Sequence, residues 1–117
     1  MNARIDGHFR RCLLDSGADV SLIPQHYVNR PEWTGNHDKL RAANGTKISV
    51  TARHATSVAI NRLRTNADFL VTPNVDEVIL GRDWLTENEV QWNFAKSLIK
   101  LQGKSIRLDG RERDPSA

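Results

Sequence analysis

Leu13-Leu14-Asp15-Ser16-Gly17-Ala18-Asp19-Val20-Ser21-Leu22-Ile23-Pro24 sets an acid, a hydroxyl and a glycine between two apolar runs. Cys12, Leu13 and Leu14 lead in, and Val20, Leu22 and Ile23 lead out. Strand formers on both sides of a polar turn put Asp15 at a strand end, pinned by two buried flanks. A carboxylate there is costly unless it is hydrogen-bonded or used in chemistry. Asp-Ser-Gly is also an ordinary turn tripeptide, so the remaining chain has to decide between turn and site.

Working outward, residues 3–14 read as a hairpin, with Ile5 and Phe9 flanking the tight-turn signal Asp6-Gly7-His8. Val20 to Ile23 reads as a strand that Pro24 ends, because proline cannot donate to a ladder. Gln25 to Lys39 is polar and irregular, broken by Pro31 and Gly35, with Trp33 as a packing anchor. Leu40 to Val50 is a second hairpin around Asn44-Gly45, which suits the two positive-φ positions of a type I′ turn. Strand patterning continues through Val58 and Ile60, a turn is expected at Asn61 to Asn66, and Phe69-Leu70-Val71 is a short strand. Val78 to Gly81 reads as a buried strand, and Arg82 to Glu89 as the one convincing helix. Asp83 is its expected N-cap or first-turn acid, and Trp84 and Leu85 point to the core, as does Trp92. Val90 to Phe94 and Leu98 to Leu101 alternate at period two, and Gly103 turns the chain into Ile106 to Leu108. The pattern predicts a mainly β domain with one short helix.

At 117 residues, with 38% hydrophobic and 26% charged residues, the chain has the make-up of a single soluble domain with a modest core. No apolar run approaches the ~20 residues of a membrane span, and Met1-Asn2-Ala3-Arg4 opens no signal-peptide apolar region, so no membrane partner is expected. The single cysteine, Cys12, excludes a disulfide within the chain and reads as a buried, inert thiol of a reducing, intracellular setting. The net charge of +3 is spread among acids, which implies a solvated surface and no specific nucleic-acid partner. His8, His26, His37 and His54 lack metal-site spacing, so neither metal nor cofactor is expected.

Leu14-Asp15-Ser16-Gly17-Ala18 and, far downstream, Ile79-Leu80-Gly81-Arg82-Asp83-Trp84-Leu85 together resemble the paired motifs of the retropepsins, the aspartic proteases of retroviruses and LTR retrotransposons. The run from Val78 to Thr86 and on through Trp92-Asn93-Phe94 is similar to the C-terminal half of those enzymes. The resemblance implies a retropepsin-like closed β-barrel or sandwich lobe over residues 1–108, with one short C-terminal helix and two lobes per homodimer. Residues 109–117 would be a polar, disordered tail. It implies that Asp15 is the catalytic acid, that Ser16 braces two active-site loops across the dimer, and that Gly17 lets substrate approach the backbone. Asp19 and Arg82 would form a partly buried ion pair that orients the loop. Leu40 to Val50 would be the flap, with Ala43, Asn44, Gly45 and Thr46 near its tip. Leu13, Val20, Leu22 and Ile79 would line substrate pockets, with Ala18 and Asp19 beside them.

Peptide hydrolysis of this kind needs two close carboxylates sharing one proton, because like charges so near cannot both ionise easily. The chain has one Asp-Ser-Gly, so the second carboxylate must come from a second copy on a two-fold axis. The implied function is a homodimeric aspartic endopeptidase that processes a retroelement Gag-Pol polyprotein, in the cytoplasm or a virus-like particle. The alternative is a retropepsin-fold dimerisation or peptide-binding module with weak or no catalysis. A basic nucleic-acid-binding fragment has only the net charge in its favour. Two departures from the family pattern matter. The flap holds a single glycine, Gly45, and the chain runs past Phe94 through Leu98 to Leu101 and Ile106 to Leu108. That extension is similar to those of retrotransposon proteases and cellular retropepsin-like domains, and it predicts a dimer interface dominated by residues 90–108.

Overall fold

The computed structural model describes residues 1–29, 39–41 and 47–109. Its strands are β1 (Asn2–Ile5), β2 (His8–Leu14), β3 (Leu22–Pro24), β4 (Lys39–Arg41), β5 (Lys47–Ser49), β6 (Ala52–Ile60) and β7 (Leu63–Thr72). β8 (Val78–Leu80), helix α1 (Arg82–Glu87), β9 (Gln91–Asn93), β10 (Leu98–Leu101) and β11 (Lys104–Arg107) follow. Six strands close a barrel in the order β1-β2-β8-β3-β7-β6. The fold is mainly β, with one short α-helix among the described residues, as expected, and a single 3-10 turn at Gln25–Tyr27. No described helix is long and apolar enough to cross a membrane.

Alternation at period two fills the barrel. Ile5, Leu14, Val58, Ile60, Phe69 and Leu80 point inward and are no more than 2% exposed. Cys12 lies fully buried among them. Asp6 and Gly7 make the β1–β2 turn with φ of 53° and 80°, the two positive values of a type I′ turn. A second sheet, in the order β11-β10-β9, lays Ile99, Leu101 and Ile106 against the same interior.

Several boundaries differ from the sequence-based expectation. The turn expected over Asn61 to Asn66 is only Asn61-Arg62, with φ of 47° and 70°, and β7 is a ten-residue strand paired along its length with β6. Val20 lies before β3 rather than in it, and Pro24 is the last residue of that strand rather than the stop beyond it. α1 ends at Glu87, and Glu89 turns away at a φ of 49°. Of the two places expected for Asp83 it takes the first turn, and Gly81 occupies the N-cap. Trp84 is buried as expected, whereas Trp92 is only half-buried, stacked 4.8 Å from the half-exposed Phe94 ring. Trp33 and residues 110–117 of the tail lie outside the described residues.

Candidate active site

Asp15 stands where β2 leaves the barrel wall. β8 lies between β2, to which it is parallel, and β3, to which it is antiparallel, so two chain segments cross side by side below the Asp15 loop. Four backbone groups tie the loop down. Asp15 N–H donates to Leu80 O at 3.0 Å, Ala18 N–H to Asp15 O at 3.1 Å, and Arg82 N–H to Ala18 O at 2.8 Å. Gly17 N–H donates to Asp15 Oδ1 at 3.0 Å. Among the described residues, Asp15 Oδ2 accepts no hydrogen bond, and the side chain is half-buried. The result is a carboxylate fixed by one oxygen and open at the other. Ser16, Gly17 and Ala18 are half-buried beside it.

Gly81 packs under this loop so closely that a Cβ there would stand 2.6 Å from both Ala18 O and Val20 O. Any side chain would push the loop away from β8.

Two residues that sequence reasoning did not assign to the site hold these segments together. Ser21 is fully buried, donating from Oγ to Asp83 Oδ1 at 2.7 Å and accepting Gly81 N–H at 3.0 Å. Ser21 N–H donates to Asp83 Oδ2 at 3.1 Å, and Trp84 N–H donates to Asp83 Oδ1 at 2.7 Å. One carboxylate therefore joins the exit of the Asp15 loop to the first turn of α1 with charge-assisted bonds. Trp84 anchors the helix from below: its Nε1–H donates to Thr65 Oγ1 at 3.0 Å, and that hydroxyl donates to Val58 O at 2.9 Å. The available signal for Ser21 was a lone hydroxyl inside an apolar run, which a buried strand tolerates only if the hydroxyl is partnered.

Register brings three of the expected pocket residues together. Leu13 pairs with Ile79, and Ile79 pairs with Leu22, so the three share one face of the wall. That is the face opposite Leu14 and Leu80, outside the interior cluster, with Leu13 and Leu22 buried and Ile79 half-buried. Val20 is half-buried on the loop above. Arg82 Nη1 lies 3.7 Å from Asp19 Oδ1, but both side chains are exposed rather than partly buried, so in the single chain the pair contributes little. The arms of the Leu40–Val50 hairpin are paired as β4 and β5 through Lys39–Ser49, Leu40–Ile48 and Arg41–Lys47. Ala43, Asn44, Gly45 and Thr46 lie outside the described residues. The hairpin is tied to the barrel where Ser49 N–H donates to Asn74 Oδ1 at 2.8 Å.

Comparison with known proteins gives matches of two kinds. A family model described as gag-polyprotein putative aspartyl protease matches residues 1–87. Among solved structures, the retroviral protease-like domain of Ddi1 from Leishmania major is similar over 91% of this chain and 88% of that one, with a TM-score of 0.72 and 15% identity. The EIAV protease complexed with an inhibitor is similar over 80% of this chain and 90% of that one, with a TM-score of 0.60 and 18% identity. At those identities the two structures establish the fold, and the family model carries the kinship.

Proposed function

The chain belongs to the retropepsin-like family of gag-polyprotein aspartyl proteases, and from that premise we propose that it is a homodimeric aspartic endopeptidase whose active site forms between two copies. The ionised carboxylate of one Asp15 takes a proton from the water held between the pair as that water attacks the scissile carbonyl. The protonated Asp15 of the second copy donates to the developing oxyanion. Peptide lies extended between the β4–β5 hairpin and a floor that includes Leu13, Leu22 and Ile79. The substrate class is the polyprotein of a retroelement, processed in the cytoplasm or a virus-like particle.

One observation carries this reading: Asp15 is held by backbone bonds on both sides while Oδ2 is left without a partner among the described residues. A structural carboxylate would have both oxygens engaged, as Asp83 has. The expected interface over residues 90–108 finds support in Phe94, 51% exposed beside a surface groove of about 610 Å³ lined by Gln91, Trp92 and Lys96, among others.

Incubation with a peptide library at several pH values, with and without a statine-type transition-state mimic, tests the proposal. Cleavage that the mimic blocks, and that Asp15→Asn abolishes, is expected. Uninhibited cleavage, or full activity in that variant, would overturn it. The second reading, a peptide-binding or dimerisation module without turnover, is compatible with the likeness to a Ddi1 domain, because a fold alone carries no activity. Its signature is peptide retention by wild type and Asp15→Asn alike, with no cleavage at any pH.

A further inference from the structure

Sheet register sets Phe9, Arg4, Ala59 and Arg64 in one row across β2, β1, β6 and β7. Arg4, Ala59 and Arg64 point outward, since their neighbours Ile5, Val58, Ile60 and Thr65 are inward and buried, and Phe9 shares that face as the direct partner of Arg4. Phe9 is 73% exposed, with the Arg4 guanidinium carbon 4.8 Å from its ring centroid. Ala59 is too small to fill the space beside them, which leaves a hollow of about 430 Å³ lined by Asn2, Arg4, Phe9, Ala59, Asn61 and Arg62. Among the described residues, no carboxylate forms an ion pair with Arg4, Arg62 or Arg64. Arg11, on the same face opposite Asn2, lies 3.9 Å from Asp109. Asp68 shares the outer face of β7 but lies opposite Ala55, farther along the strand.

We propose that this hollow binds a nucleotide unit of single-stranded nucleic acid. An aromatic ring with a planar guanidinium over it offers a stacking platform for a base, and unpaired arginines beside it meet phosphates. The carboxamides of Asn2 and Asn61 supply both donors and acceptors for a base edge. An acidic peptide would match the charge and could bond the amides, but glutamate offers no planar face to the ring, and a duplex hides its base faces. The folded sheet gathers residues that are scattered in the linear sequence, from which no specific nucleic-acid partner is expected. The site shares no residue with the Asp15 loop and does not depend on the peptidase reading.

Fluorescence anisotropy of the full chain with a labelled, mixed-sequence single-stranded oligonucleotide tests this. Log affinity should fall with log salt at a slope of about −2, at about −0.7 per phosphate neutralised by the three guanidinium groups. The combined variant Arg4→Gln, Arg62→Asn, Arg64→Gln should lose binding and flatten that slope. Asparagine is chosen at 62 because the φ of 70° suits it. Phe9→Leu should weaken binding about fivefold or more and leave the slope unchanged, because it removes stacking and not charge. Competition on the wild-type protein by a glutamate-rich peptide and by duplex DNA of equal charge keeps the test independent of how the variants fold. Displacement by the peptide as effective as by the unlabelled single strand would overturn the proposal. So would Phe9→Leu binding as tightly as wild type, or no wild-type binding at low salt.

Discussion

Ser21 Oγ serves two partners in a place with no access to water, so its removal leaves the Gly81 N–H buried and unpaired. An orphaned buried donor costs about 1–3 kcal/mol. Ser21→Ala is therefore expected to lower unfolding free energy by about that amount, read as a lower urea midpoint at unchanged slope. An unchanged midpoint would mean the hydrogen bonds to Ser21 contribute nothing. Gly81→Ala is expected to be worse, since the added methyl meets the backbone oxygens of Ala18 and Val20 rather than side chains that can move. Its thermal midpoint should fall further than that of Ser21→Ala, and retention of wild-type stability would contradict the tight packing. The two groups were unequally legible. Asp15, Gly17 and Gly81 stand inside recognisable motifs, where chemistry restricts the residue type. Ser21 and Asp83 meet only because β3 folds onto the start of α1, and a bond between residues 62 apart leaves no periodic trace.

Hairpins were legible where the turn dipeptide is distinctive and blurred where it is not. Asp6-Gly7 announces its turn, whereas Asn61-Arg62 puts arginine at positive φ and carries no such mark. The inward positions Thr65 and Ala67 of β7 also look like a polar break. The Thr65 hydroxyl fits there because it accepts the Trp84 indole N–H and donates to Val58 O. The β1–β2 turn has its own electrostatic tie. Asp6 accepts Thr56 Oγ1–H at 2.7 Å through Oδ1, and His54 Nε2 lies 2.7 Å from Oδ2. Partial burial pushes the Asp6 carboxyl up, but the hydrogen bonds from Thr56 and His54, with the charges of His54 and His8, outweigh it and leave its pKa below the ordinary value of 3.8. A depressed folded-state pKa stabilises the fold above the unfolded value and loses that contribution as pH falls through the folded one. Asp6→Asn, which tolerates the φ of 53°, should therefore lower the thermal midpoint at pH 7 and differ less from wild type as pH drops below about 4. A gap that does not narrow in acid would refute the tie. The effect should be small, because both side chains are partly exposed.

At the scale of the whole molecule, much of the barrel and of the added β9–β11 sheet was legible from alternation, because strands such as β1, β7 and β10 have one buried face. The basic row across the outer sheet was not, since register, and not sequence distance, places Arg4 beside Phe9 and Ala59 beside Arg64. The need for a second copy was legible, because one chain carries a single Asp-Ser-Gly and so supplies one of the two carboxylates the proposed chemistry uses. The proposed peptidase therefore exists only as a pair, and its specific activity should fall on dilution below the dimer dissociation constant. Specific activity constant over a wide dilution range, with no dimer seen by sedimentation, would count against it. The most direct measurement mixes wild type with Asp15→Asn at constant total protein and follows peptide cleavage after subunits exchange. If both Asp15 carboxylates are needed, activity falls as the square of the wild-type fraction. A fall in simple proportion to that fraction would mean that one chain carries the whole site, and would contradict the account.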